Sequence, residues 1–347
     1  MTAMLACSSD PTPSASGGSD GSDEGIAVED EGVSAAGDDE GIPVLRLDVS
    51  QSNTSFDPGT AEGADQEGCK KVDFVFVVDS SPSMEDEQDN LIRSFPGFIS
   101  AIEQNLDIDD FNLMVVDAGR LSGSGACDGT LGAGQIADGS GRDCGVSSGR
   151  RFVTTQQADL VEVFSCMASR GIDGPGNEET MAALLASTGE LTRPGGCNEG
   201  FLRDDAVLVV TIITDEEDDP SDTPSRGGGG PGGQPVCGGI DDDRNSPGSP
   251  SDWAAQLLAT KGNDPNAVVV LGLIGDCDVG DCPAFSFGGG FGGAITGAEP
   301  APRIREFVTS FTHGSTGPVC AEDYAPFFDS AVQVIQSACN GFTPPVG

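Results

Sequence analysis

The sequence predicts an α/β protein with a doubly wound, mainly parallel, Rossmann-like sheet flanked by helices. Three observations predict it. Residues 72–78, 206–214 and 267–274 are near-continuous apolar runs rich in Val and Ile, as strands covered on both faces require. The segments between them carry apolar residues at three- and four-residue spacing, as amphipathic helices require. The two patterns alternate along the chain, which implies parallel pairing through right-handed crossovers.

Composition narrows the function. The chain has 347 residues, with 16 Lys and Arg against 57 Asp and Glu, a formal net charge of −41. That charge argues against a nucleic-acid backbone as partner. It suits cations, basic partners or plain solubility. The 51 glycines and 22 prolines require long irregular loops beside any core. Eleven cysteines stand with a single histidine, His313, and no C-x-x-C pair. Zinc is therefore disfavoured, and an exported, disulfide-bonded protein is the better reading. Without a run of eighteen apolar residues, no helix is expected to span a membrane.

Residues 8–68 are poor in large apolar side chains and rich in Ser, Gly, Asp and Glu. Such a segment buries too little surface to offset its chain entropy, and it reads as a disordered acidic tether. The apolar stretch 42–49 is its one interruption.

The domain is expected over residues 69–342. After the first strand, residues 85–106 read as a helix with Leu91, Phe95, Phe98, Ile102 and Leu106 on one face. Pro96 is expected to kink or divide it. Residues 111–116 form the next strand, ending at Asp117. Residues 118–150, rich in Gly, form a long insertion, and residues 151–153 a short edge strand. Thr154 and Gln157 have capping-box spacing before a helix bearing Leu160, Val163, Phe164 and Met167. Asn177 can cap a helix bearing Met181, Leu184, Leu185 and Leu191. The strand 206–214 ends in Asp215-Glu216-Glu217-Asp218-Asp219 and leads into a Gly/Pro-rich insertion at 220–250. Ser251 can cap a helix with Trp253, Leu257 and Leu258. After the strand 267–274 come a helix near 303–311, a short strand near 317–320 and a last helix over 325–339 that buries Phe327, Phe328, Val332 and Ile335. The Asp241-Asp242-Asp243 run reads as a solvated charge run, and His313 as a cap or loop contact.

Three strands thus deliver acids at their carboxyl ends: Asp79, Asp117 and Asp215. Open α/β sheets bind ligands at that edge. After Asp79 come Ser81 and Ser83, in the order D-x-S-x-S. A carboxylate and two hydroxyls, offset by two residues at a strand end, can converge on one hard cation.

This pattern resembles the von Willebrand factor A domain, whose metal-ion-dependent adhesion site begins with D-x-S-x-S. The resemblance covers roughly residues 70–340. It implies metal ligands at Asp79, Ser81 and Ser83, and an aspartate after the fourth strand at Asp215. The family's third element, a threonine before a middle helix, falls on Glu178, with Thr180 two residues on as the alternative. Asp117 and Glu216 are candidates for supporting contacts around the site. The implied cofactor is Mg²⁺, or Ca²⁺ or Mn²⁺, with the remaining coordination position open to a carboxylate of the partner. Ligation by Glu178 would add a charge, hold the cation more tightly and attract an acidic partner less. The chain also resembles secreted bacterial lipoproteins carrying this domain, through Gly176-Asn177-Glu178, Gly200-Phe201-Leu202-Arg203 and the run from Thr214 to Asp218. Met4-Leu5-Ala6-Cys7 resembles the end of a lipoprotein signal peptide, with Met4 where the usual leucine stands. This implies that residues 1–7 are a signal remnant and Cys7 the lipidated residue. An outer-membrane lipoprotein, periplasmic or surface-exposed, is then expected, touching the membrane only through its lipid.

The remaining ten cysteines suffice for five bridges. Cys127–Cys144 and Cys277–Cys282 are the most local pairs, and Cys69–Cys339 would join the two ends of the domain. Cys166, Cys197, Cys237 and Cys320 stay unassigned. The expected function is a non-enzymatic, cation-dependent binding or adhesion module for a protein or envelope polymer. One alternative is a structural envelope protein with a purely structural cation. The other is a metal-dependent hydrolase. A haloacid-dehalogenase-type phosphatase needs a second aspartate where Ser81 stands, the G-x-S-x-G strings at 17–21 and 145–149 follow no expected strand as a nucleophile elbow must, and no G-x-x-x-x-G-K-[ST] loop is present.

Overall fold

A computed structural model describes residues 69–119, 125–174, 178–218, 246–275, 282–283, 286–287 and 295–345. The chain divides into two units, residues 1–61 and 62–347, and all described residues belong to the second. The expected signal remnant with Cys7, the tether at 8–68 and most of the insertion at 220–250 lie outside the described residues.

The element order is β1 (Lys71–Val78), α1 (Glu85–Asn105), β2 (Asp110–Asp117), β3 (Val153–Thr154), α2 (Leu160–Ala168), α3 (Thr180–Thr188), β4 (Val207–Ile213), α4 (Pro250–Ala259), β5 (Val268–Ile274), β6 (Ser286–Phe287), β7 (Ile295–Thr296), α5 (Pro302–Thr309), β8 (His313–Pro318) and α6 (Ala325–Gly341). A 3₁₀ turn, Glu190–Thr192, follows α3. The main sheet runs β3-β2-β1-β4-β5-β8. All neighbours in it pair parallel except the antiparallel edge strand β3, and β6 and β7 form a separate two-stranded ribbon. This is the doubly wound sheet that the sequence predicts.

Alternation along β1 shows why residues 74–78 are all apolar. Phe74, Phe76 and Val78 join one core with Leu91, Phe95 and Phe98 of α1, Phe164 of α2 and Phe328 of α6. Val75 and Val77 join the other, with Met181 of α3, Trp253 of α4 and Phe307 of α5. Both faces of this part of the strand are covered, so both sets of alternating positions are apolar. Among the described residues, no helix is long and apolar enough to cross a membrane.

Several sequence expectations shift. Helix α1 runs unbroken through Pro96. That proline lies on the exposed side, where water can satisfy the carbonyl that its missing N–H leaves free. Thr154 ends the edge strand instead of capping a helix, and α2 starts after Asp159. Gln157 bonds Ser147 and Asp159 instead. Helix α4 is capped by Ser249, not Ser251, in a reciprocal capping box with Asp252 and with Pro250 opening the helix. The expected strand at 317–320 lies earlier, as β8 from His313. His313 bonds Asn266 through its ring Nε2 at 3.0 Å.

Four disulfides are described: Cys69–Cys339, Cys127–Cys197, Cys144–Cys166 and Cys282–Cys320. The first joins the domain ends as expected. The local pairings Cys127–Cys144 and Cys277–Cys282 are overturned, because Cys127, Cys144 and Cys282 each bond a distant partner. The stretch 125–150 does not close on itself; it is fastened to α2 at Cys166 and to the segment after α3 at Cys197. Cys237 and Cys277 lie outside the described residues.

Candidate metal centre

The strand order reverses between β1 and β4, which opens a crevice at their carboxyl ends. The two strand ends are held together there by the Asp79 amide donating to the Ile213 carbonyl at 3.0 Å. Asp79 is fully buried. Its Oδ1 accepts from the Ser81 amide at 2.7 Å, and its Oδ2 accepts from the Thr214 hydroxyl at 2.7 Å. The first bond folds the D-x-S-x-S turn back on its own aspartate, and the second ties that turn to β4. The turn also brings Ser81 Oγ and Ser83 Oγ to 3.1 Å of each other.

Across the crevice, Asp215 is fully buried and neither carboxylate oxygen has a donor in bonding geometry. Burial and then the nearby Asp79 push its carboxyl up to about 8, with the Ser83 hydroxyl acting in the opposite direction. Burial likewise raises Asp79, against the bonds from Thr214 and Ser81. Glu178 is 1% exposed. Burial first, then the charges of Asp79, Asp117 and Glu216, push it up to about 11. Thr180 opens α3 and is buried, with its hydroxyl unbonded.

The sequence-predicted residues therefore divide. Asp79, Ser81, Ser83 and Asp215 line one crevice, and Glu178 reaches Asp79 from the α3 side. Asp117 is diverted: its Oδ2 accepts from Arg170 Nε at 2.9 Å, and its Oδ1 accepts from Ser80 Oγ at 2.8 Å and from the Gly119 amide at 3.0 Å. Glu216 is partly exposed, and its amide donates to the Thr214 hydroxyl at 3.1 Å. Among the described residues of the run after β4, Asp215 is the one with bare, buried oxygens. Glu217 accepts from the Arg303 amide at 2.6 Å and the Ile304 amide at 3.3 Å, capping α5. Asp218 accepts from the Met181 amide at 2.7 Å and from Ser246, capping α3. The cap expected from Asn177 lies outside the described residues.

Sequence reasoning missed Thr214, Gln88 and Arg170. Gln88 donates to the carbonyls of Asp79 and Gly171, both at 2.9 Å, and accepts from the Gly171 amide at 3.1 Å. Its signal was available: a polar residue on the Met84–Leu91–Phe95 stripe of α1 must have a buried partner. Arg170 gave none, being one arginine in a loop.

Among the described residues, no three His, Cys, Asp or Glu side chains converge closely enough to hold an ion by themselves. A cation here would depend on the serine hydroxyls. The donor set, two carboxylates and two hydroxyls, is all hard oxygen and fits Mg²⁺ or Ca²⁺. The bare, buried oxygens of Asp215 fit the same reading, since such atoms are costly without a counter-charge.

No family model and no curated protein matches the chain. Among solved structures, 54 chains match. One is proximal thread matrix protein 1 from the mussel byssus, at 13% identity and a TM-score of 0.37 over 79% of this chain. This chain spans about half, 49%, of that protein's length. So loose an overlap says nothing of function.

Proposed function

We propose that the chain is a non-enzymatic, cation-dependent binding module of the von Willebrand factor A type. Asp79, Ser81, Ser83 and Asp215 would hold one Mg²⁺, Ca²⁺ or Mn²⁺, and a carboxylate of a protein or envelope polymer would complete the coordination. The observation that carries this is the crevice between β1 and β4, where Asp215 is fully buried with both oxygens bare beside two paired serine hydroxyls. The four disulfides support an exported setting at a bacterial envelope. Cys7 would supply the lipid anchor. Glu178 favours a second reading, because a buried carboxyl that feels the charge of Asp79 could close the site around a purely structural cation. A metal-dependent hydrolase is a weaker reading still, as Ser81 occupies the position of the second catalytic aspartate.

The test is calorimetric titration of the oxidised full chain with each cation, beside Asp79→Ala and Asp215→Ala. One saturable site lost in both variants is the expected result, and equal weak responses in all three proteins would sink it. Ser81→Ala then separates the two readings. A binding site loses its ligand with little change in melting, whereas a structural site loses melting temperature.

A further inference from the structure

Arg170 sits at the end of α2, with its side chain 1% exposed and paired to Asp117 at 2% exposed. A buried ion pair by itself is weak evidence of a stabilising role. The rest of the fork is more telling. Arg170 Nη1 donates to the Ala137 carbonyl at 2.7 Å and the Met167 carbonyl at 3.2 Å, and Nη2 donates to Gln135 Oε1 at 3.2 Å. One guanidinium thus grips the end of β2, the end of α2 and the insertion.

Each grip leads to the crevice or to a disulfide. Asp117 holds the Ser80 hydroxyl, and Ser80 lies between Asp79 and Ser81. The Gly174 amide donates to the Ser80 carbonyl at 3.0 Å, and a Cβ at Gly174 would fall 2.2 Å from Ser80 Oγ. That close approach admits only glycine. On the other side, the Gly139 amide donates to the Ser169 carbonyl at 2.8 Å, and a Cβ there would fall 1.8 Å from the Arg170 carbonyl. The Cys144–Cys166 bridge fastens this part of the insertion to α2.

We propose that Arg170 is a positioning residue that couples the disulfide-fastened insertion to the D-x-S-x-S turn. Through Asp117 it fixes Ser80, and so the spacing of Asp79, Ser81 and Ser83. By occupying Asp117 it also keeps a further acid out of the crevice, which limits the charge a cation would meet. Nothing but the fork's geometry allows this: lysine offers a point charge in place of planar, divergent donors.

The primary test needs no cation, and only its second readout rests on the binding-module reading. Amide hydrogen exchange of the oxidised, cation-free full chain is compared among wild type, Arg170→Lys and the double variant Arg170→Met/Asp117→Asn. The double variant removes both charges together, so no unpaired charge remains buried. Asp117→Asn keeps an acceptor for Ser80, so loosening reports the lost fork. Exchange about ten-fold or more faster at residues 80–83 and 171–174 is expected in both variants, with melting of the double variant close to wild type. Weaker Mg²⁺ binding by about ten-fold, with melting retained, is the second expected readout. Unchanged exchange at 80–83, with loosening confined to 134–144, overturns the proposal whatever the cation does. If the double variant fails to fold, Arg170→Lys alone decides on the same criterion. Faster exchange at 80–83 in the variants, with a wild type that binds no Mg²⁺, supports the positioning role and removes the cation reading instead.

Discussion

Asp73 and Asp79 lie on and just beyond one strand, both fully buried, yet their surroundings are opposite. At the amino-terminal edge, Asp73 accepts from Arg203 Nε at 2.8 Å and from the Arg203 amide at 2.7 Å. Arg203 also donates to Asp110 at 2.6 Å and to the Val72 carbonyl at 3.0 Å, while the Lys261 ammonium donates to the Arg203 carbonyl. The buried acid there has a base built into the fold. At the carboxyl-terminal edge, Asp79 has a hydroxyl and an amide, and Asp215 has no donor in bonding geometry. Of the buried arginines described, Arg170 is spent on Asp117 and Arg303 on the Asp218 and Gly248 carbonyls. The first edge is electrostatically complete, and the second lacks positive charge. The difference separates a structural acid from a candidate ligand better than burial does, since burial is the same at both.

The sharpest way to break this comparison is to make the amino-terminal edge resemble the other. Arg203→Met leaves Asp73 buried without its base and is expected to cost about 3–5 kcal/mol of unfolding free energy. Divalent cation should not restore it, because no open oxygen cradle exists there. Chemical denaturation with and without Mg²⁺ at about a hundred times the wild-type Kd checks both parts.

Next in size is the wild-type response to cation. Saturation at about a hundred times Kd should stabilise the folded state by about 2.7 kcal/mol. The same addition should leave Asp215→Ala unmoved in a thermal melt, and a melt that shifts equally in both would erase the distinction between the edges.

A smaller gain is expected from Asp215→Asn without cation. Replacing a buried acid beside Asp79 with a neutral amide should raise stability by about 1 kcal/mol. The same change should abolish the cation response. A lower midpoint in urea would mean that Asp215 already has a partner.

The last prediction is pH dependence. Burial, opposed by Arg203, pushes Asp73 up to about 6. Burial, then the neighbouring acids Asp86 and Asp215, pushes Glu87 of α1 up to about 9. Both folded values lie above the unfolded ones. The folded state therefore holds these protons more tightly, and stability falls as pH rises through each window. Asp73 contributes a fall that ends near pH 6, and Glu87 one that continues to about pH 9. Midpoints measured from about pH 5 to 9 should decline throughout in wild type, while Glu87→Gln should decline less steeply, with Asp215 and Glu178 supplying the slope that remains.

Much of this architecture is legible in the sequence. The apolar runs dictate parallel strands because both faces of β1 and β4 are covered, and periodicity places every helix of the main core to within a few residues. The residues that line the crevice, Asp79 to Ser83 and Asp215, were legible too, because each group directly follows an apolar strand run. Boundaries failed where local chemistry offered rival caps. Ser249 and Ser251 both precede Trp253, and only Ser249 closes a box with Asp252.

What the tertiary structure alone decided is the fate of several acids and of most of the described cysteines. The run after β4 is chemically uniform in sequence. Folded, it sends Asp215 into the crevice, Glu217 to the start of α5 and Asp218 to the start of α3. Asp117 reads like Asp79 at a strand end, but Arg170, far along the chain, claims it. Cys127 lies nearer in sequence to Cys144 than to Cys197, yet it bonds Cys197. Local periodicity fixes strands and helices because neighbours along the chain set it. Partners of buried charges and thiols come from distant segments, and only packing brings those within reach.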